Sequence, residues 1–264
     1  MTSMTPPQVD VLIVGGGPVG VTGAILLAKQ GLKVLVAERE PGIYPLPRAA
    51  HIDHEAMRIF QAAGIADALL ATTREAKRYD FLNAAGDVLM RLETGAGDTL
   101  SGWPASNMIH QPSLEQLLND AIAASPTADF RRLWGLVDFA VDDAGVTAHF
   151  ETPEGRQEIQ TKYLLGCDGA NSTVRSLADI QQDDLGFNES WLVIDTIVKQ
   201  ESALPDCNLQ ICDPARPTTC VMMGNGRHRW EFMLLPGETP EAMQKPETIQ
   251  TLMAPWEVEG AVEV

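Results

Sequence analysis

The segment Gly15-Gly16-Gly17-Pro18-Val19-Gly20 constrains this chain more than any other. It follows Val9 to Val14, a run rich in Val and Ile that suits a buried parallel strand. It opens an Ala/Leu-rich stretch from Val19 to Lys29, which suits a helix ended by Gly31. Lys33 to Ala37 supplies a second buried strand, so the region predicts a strand–turn–helix–strand crossover. Gly15, Gly17 and Gly20 match a G-x-G-x-x-G pattern. In that pattern one glycine makes the tight turn, one lets the backbone approach a pyrophosphate, and one lets helix pack on strand. The helix N-terminus offers unpaired N–H groups and partial positive charge to the same pyrophosphate.

Glu38 ends the second strand, where a carboxylate can accept both hydroxyl hydrogens of an adenosine ribose. It also repels a 2′-phosphate, which favours FAD or NAD over NADP, although Arg39 beside it weakens that exclusion. The crossover alone does not separate FAD from NAD. A second glycine turn, Leu165-Gly166-Cys167-Asp168-Gly169-Ala170-Asn171-Ser172-Thr173-Val174-Arg175, ends a strand and begins a helix. Asp168 at a strand end can bind a polyol hydroxyl, Gly169 permits close backbone approach, and Arg175 brings charge near phosphates.

Elsewhere, His54 to Ala63 predicts a helix stopped by Gly64, and Tyr79 to Leu92 a hairpin around Gly86-Asp87. Gly95 to Ser106 reads as loop. Ser113 to Ala124 predicts a helix with Ser113 as N-cap and Gln116 completing a capping box. Leu136 to Leu165 reads as a three-stranded meander. Strands are expected at Trp191 to Val198, Leu209 to Cys212, Thr219 to Met223 and Trp230 to Leu235, and a helix from Glu241.

Nineteen Lys plus Arg against thirty-six Asp plus Glu give a net charge of −17, which opposes binding to nucleic acid or to an anionic membrane surface. The four cysteines, Cys167, Cys207, Cys212 and Cys220, lack metal-site spacing and read as free thiols of a reducing cytoplasm. The polar, Pro-containing start, Met1 to Gln8, lacks the pattern of a signal peptide.

The run from Leu165 to Arg175 closely resembles the Asp-Gly fingerprint of class A flavoprotein aromatic hydroxylases, whose pattern is roughly CDGxxSxVR. Pro47-Arg48-Ala49 with Asp53-His54-Glu55-Ala56-Met57-Arg58 is similar to a family segment whose arginine lies beside the flavin, and Ile109-His110-Gln111-Pro112 to one whose glutamine contacts it. Cys212 to Pro217, Glu231 to Met233 and Pro236 to Thr239 resemble, in order, the substrate domain of the 3-(3-hydroxyphenyl)propionate hydroxylases. The resemblance extends along essentially the whole chain. It implies an α/β fold: a Rossmann-like FAD-binding domain interleaved with a mostly antiparallel β-sheet substrate domain, incomplete at the C-terminus. The expected division is 1–78 and 103–180 for the FAD-binding domain, with 79–102 and 181–264 for the substrate domain.

The resemblance implies FAD held by Gly15, Gly17, Gly20, Glu38, Arg39, Arg48, Gln111, Asp168, Gly169 and Arg175, with NADH or NADPH as transient electron donor. It implies hydroxylation of a phenol ortho to its hydroxyl, with O2 captured as a flavin C4a-hydroperoxide. The expected substrate is 3-(3-hydroxyphenyl)propionate or its cinnamate analogue, and a homodimer is the candidate assembly. No catalytic side chain is singled out, because in this chemistry the cofactor carries the difficult step. Two alternatives stand beside this: a degenerate, non-catalytic flavin- or nucleotide-binding module, and a hydroxylase of another phenol or a polyketide.

Lesser signals read structurally. His51 and His54 could share a helix face, but no third ligand is evident, so no metal is expected. Arg227-His228-Arg229 reads as a solvated turn, and Trp103, Trp191 and Trp230 as core. The family's later Gly-Asp-Ala-(Ala/Ser)-His run is not present, since Gly86-Asp87 and Gly97-Asp98 are the only Gly-Asp pairs. The isolated chain is therefore expected to show weak or absent stoichiometric FAD binding.

Overall fold

The computed structural model describes residues 8–94 and 99–264. Residues 1–7, and the part of the expected loop at Gly95 to Asp98 with its Gly97-Asp98 pair, lie outside the described residues. Along the chain the elements are β1 (Gln8–Val14), α1 (Pro18–Lys29), β2 (Val34–Glu38), β3 (His51–Asp53), α2 (His54–Ala63), α3 (Ala66–Leu70), β4 (Arg74–Glu75), β5 (Arg78–Leu82), β6 (Val88–Glu93) and β7 (Ser106–Met108). They continue as α4 (Gln111–Ala123), β8 (Ala128–Arg132), β9 (Gly135–Asp142), β10 (Gly145–Thr152), β11 (Gly155–Gly166), α5 (Thr173–Leu177), β12 (Trp191–Val198), β13 (Asn208–Ile211), β14 (Thr218–Met223), β15 (Arg227–Met233), α6 (Pro240–Met243), α7 (Pro246–Met253) and β16 (Val262–Glu263).

Two compact units result. The first comprises residues 1–45, 59–69 and 112–183, and the second residues 46–58, 70–111 and 184–264. Segments 46–58, 70–78 and 103–111 thus join the second unit, where the expected division gave them to the first. Their strands explain this: β3 and β4 both pair with β7 in a small antiparallel sheet of that unit.

The first unit holds a six-stranded sheet in the order β8-β2-β1-β11-β10-β9. β8, β2, β1 and β11 run parallel, while β11, β10 and β9 form an antiparallel meander. Within β1 and β2 the apolar runs Val11 to Val14 and Val34 to Ala37 are all buried, as expected of strands covered on both faces. One face packs Leu12, Val14, Leu35 and Ala37 against Phe150 and Ile159. α1 buries Val21, Ala24, Ile25 and Ala28, the spacing of one helical stripe.

In the second unit a seven-stranded sheet runs β16-β12-β15-β14-β13-β5-β6, with β13 and β5 its one parallel pair. Its core gathers Leu192, Ile194, Cys220, Trp230 and Phe232 with Met243 of α6 and Met253 of α7.

Three local expectations need correction. α4 starts at Gln111, so Ser113 lies inside the helix rather than at its N-cap, and Gln116 donates to Asp120 Oδ1 at 2.8 Å. Pro112, with preset φ and no N–H to lose, favours this earlier start. Arg227-His228-Arg229 is not a solvated turn but the start of β15, with His228 and Arg229 both buried. Trp230 is core, whereas Trp191 is exposed at 38%. Among the described residues no helix is long and apolar enough to cross a membrane.

His228 stacks against Trp230 with ring centroids 4.5 Å apart, and neither ring nitrogen has a partner among the described residues. Burial, helped by the charge of Arg74, pulls its pKa down to about 4. The unfolded chain, with a histidine near 6.5, therefore takes up the proton first, so stability falls as pH drops from about 6.5 toward 4. His228 should contribute a loss of roughly 2 kcal/mol between pH 7 and pH 5, read by urea denaturation, and His228→Phe should lose less by about that amount; an equal loss in the variant would contradict this. In the first unit, Phe150→Ala should cost about 3–5 kcal/mol, and a cost below about 1 kcal/mol would show that the face around Phe150 is not close-packed.

Candidate functional site

The two glycine turns leave the C-terminal ends of adjacent parallel strands, β1 and β11, which are in register from Gln8 opposite Gln160 to Val14 opposite Gly166. In open α/β sheets that edge is where ligands bind. Cys167 N–H donates to Val14 O at 2.7 Å, and Gly15 N–H to Ala37 O at 2.9 Å, so three strand ends are stitched together. A Cβ at Gly15, whose φ is +108°, would lie 2.3 Å from Cys167 O and 2.7 Å from Asp168 N. The first turn therefore presses directly on the second, and only glycine allows it.

The other glycines of the turn differ in what surrounds them. A Cβ at Gly20 would strike Gly15 O at 2.0 Å, so this residue lets helix lie on turn. A Cβ at Gly17 would meet nothing within 4 Å, so the space in front of this backbone is open. Gly16, not singled out by the pattern, is also needed: its Cβ would lie 2.6 Å from the Phe130 ring of β8. Phe130 was invisible to sequence reasoning because β8 is short and charged, and its strand character comes from pairing with β2.

Gly17 is the N-cap of α1 and makes no side-chain cap, Pro18 has no N–H, and the first turn carries no acidic residue. A twelve-residue helix whose first turn is uncapped and faces open space fits an anionic pyrophosphate. Glu38 stands beside it: Oε2 accepts the Gly16 N–H at 2.7 Å and Oε1 the Glu40 N–H at 2.8 Å. The two amides fix the carboxylate while each oxygen keeps a lone pair for a ribose hydroxyl. These residues fit the adenosine diphosphate portion of FAD.

In the second turn Gly169, at φ +83°, also has open space where a Cβ would stand. Asp168 is turned inward: Oδ1 accepts from Ser172 Oγ at 2.5 Å, and Oδ2 from the amides of Thr173 and Val174 at 2.6 and 3.2 Å. Ser172 in turn caps α5 through the Arg175 N–H at 3.0 Å. Asp168 and Ser172 together thus hold the turn on its helix, a role that spacing alone did not reveal. Arg175, half-buried, folds back on Ala170 O at 2.8 Å, and Arg39, exposed, lies 3.3 Å from Glu40. Burial, reinforced by the neighbouring Asp168 charge, pushes the Cys167 thiol up, which keeps it protonated.

Arg48 and Gln111 come together in the second unit. Gln111 Oε1 accepts both the Arg48 and the Ala49 N–H, at 3.1 and 2.7 Å. His51 Nε2 bonds Ser106 Oγ at 2.8 Å and His54 Nδ1 bonds Ser101 Oγ at 3.2 Å, so hydroxyls occupy these rings. Among the described residues no group of three His, Cys, Asp or Glu is arranged to hold a metal ion.

The family described as "FAD binding domain" matches residues 8–258. A probable NADH-specific resorcinol 4-hydroxylase of Rhodococcus jostii (strain RHA1) is 38% identical over 247 residues, 91% of this chain and 46% of that protein. A 3-(3-hydroxy-phenyl)propionate/3-hydroxycinnamic acid hydroxylase of Comamonas testosteroni is 34% identical, covering 92% of this chain and 41% of that protein. The chain thus spans about half the length of the curated relatives it matches. Among solved structures, p-nitrophenol 4-monooxygenase from Pseudomonas putida DLL-E4 superposes with a TM-score of 0.84 at 22% identity, over 93% of this chain and 63% of that one. Aklavinone-11 hydroxylase, solved with FAD and aklavinone, gives 0.81 at 24%, over 99% and 53%. The match spans nearly the whole described chain and agrees with the geometry of the two turns: the chain belongs to the FAD binding domain family.

Proposed function

We propose that this chain holds FAD in a monooxygenase that hydroxylates a phenolic ring ortho to its hydroxyl, with NADH as reductant and O2 as co-substrate. The observation that carries the reading is the contact of Gly15 with Cys167 and Asp168, which joins two dinucleotide-type turns at one sheet edge. In this reading the open amide at Gly17 and the first turn of α1 take the pyrophosphate, with Gly15 and Gly20 shaping the turn. Glu38 takes the ribose hydroxyls, and Gly169 admits the cofactor close to the second turn, which Asp168 holds in shape. Arg39, Arg48, Gln111 and Arg175 are proposed as further cofactor contacts on the family's motif. When bound, the flavin supplies hydride acceptance and oxygen activation; the chain supplies position and charge.

For the substrate, 3-(3-hydroxyphenyl)propionate follows from the substrate-domain motifs. The relative with 38% identity is named for resorcinol, which makes a small neutral phenol the second reading.

Two measurements test this. FAD should bind the isolated chain at most weakly, with ADP competing. Gly17→Ala, whose Cβ meets no protein atom, should leave the circular dichroism unchanged and weaken binding by at least about tenfold. Gly15→Ala should instead unfold the first unit. Unchanged affinity in Gly17→Ala would remove the pyrophosphate assignment. In the protein as the cell makes it, NADH oxidation should be stimulated by 3-(3-hydroxyphenyl)propionate or by resorcinol and should yield the ortho-diol or triol. Oxidation indifferent to any phenol would favour a non-catalytic flavin module.

A further inference from the structure

The side chain of Arg229 is 3% exposed, and its hydrogen-bond acceptors belong to the second unit. Nε and Nη2 form a two-pronged pair with Asp195, at 2.7 Å to Oδ1 and 2.9 Å to Oδ2. Nη2 also donates to Pro47 O, and Nη1 to Arg48 O at 3.4 Å. Glu231 Oε1 stands 3.6 Å from Nη1. Four hydrogen bonds thus hold the buried guanidinium, with Glu231 a longer ionic neighbour, a set that a lysine ammonium, with three donors, does not reproduce. On the other side of the same residues, Gln111 Oε1 takes the Arg48 and Ala49 amides. Beyond them, Ile109 N–H donates to Ala50 O at 2.8 Å and β3 begins at His51.

The backbone at Pro47 to Ala49 belongs to neither sheet, yet it is held from both sides, its carbonyls by one side chain and its amides by another. We propose that Arg229, anchored on Asp195, is a positioning residue that together with Gln111 fixes the Pro47–Ala49 backbone and so sets the place from which Arg48 acts. Asp195 sits on β12 and Arg229 directly opposite it on β15, so the anchor is a cross-strand pair built into the sheet. Asp195 and Glu231 offset the guanidinium charge, so the clamp acts by direction rather than by net field. The bearing of this clamp on flavin rests on the reading above, whereas the clamp itself does not.

Amide hydrogen exchange of the full chain tests it, with FAD affinity read in parallel. Arg229→Lys keeps the charge and loses the fork. It should speed exchange at Arg48 and Ala49 by about tenfold or more, and leave β1, β2 and β11 unchanged. Asp195→Asn, which loosens the anchor and keeps the arginine, should speed the same two amides by a smaller factor, and it carries the test if Arg229→Lys does not fold. FAD affinity should fall in step with the loss of protection. Unchanged exchange at Arg48 and Ala49 in folded Arg229→Lys would overturn the proposal, as would loss of protection across the whole second unit in both variants. If the wild-type chain binds no FAD, the functional reading fails while the exchange result still decides the clamp.

Discussion

The structure depends on how closely two strand ends approach. Gly15 and Cys167 terminate neighbouring parallel strands, and the distance between their backbones leaves no room for a single carbon atom more. That contact brings together two turns separated by about 150 residues in sequence. It also fixes the start of α1, because Gly20 packs onto the Gly15 carbonyl and so sets where the helix axis begins. At Gly17, where α1 begins, a Cβ would meet no atom within 4 Å, so the space in front of the turn is open.

Electrostatics follow from that geometry. A chain with net charge −17 repels a pyrophosphate at long range, so binding must come from dipoles at short range. The first turn of α1 meets this need by omission, having neither an acidic residue nor a side-chain cap. Glu38 is held at the turn by two amide bonds, which fix the carboxylate proposed to take the ribose hydroxyls. The second unit follows the opposite rule. There the cation is buried and its charge is matched in place, and Arg229 organises backbone through hydrogen-bond direction.

What could be read from sequence follows the range of the forces involved. The crossover unit, α2, the hairpin of β5 and β6, the β9–β11 meander and β12 were legible because periodicity and turn chemistry are local. The glycine pattern was legible for the same reason: a positive φ or a steric limit is written in the residue itself. β8 and the seating of Phe130 under Gly16 were not, since a short charged strand exists only by pairing with β2. Arg227-His228-Arg229 read as a turn because three polar residues in a row suggest water; the alternation that buries His228 beside Trp230 and Arg229 on Asp195 needs partners from β12. Asp168 shows a subtler limit, for spacing marked it as important but gave no sign that Ser172 and two amides hold it.

The claim that both turns serve one ligand is tested most directly by backbone amide resonances during titration with FAD. The account predicts that Gly16, Gly17 and Gly169 shift together along one saturation curve, while Leu12 and Ile159 in the core stay still. Movement at the first turn alone, or two curves with different midpoints, would contradict it.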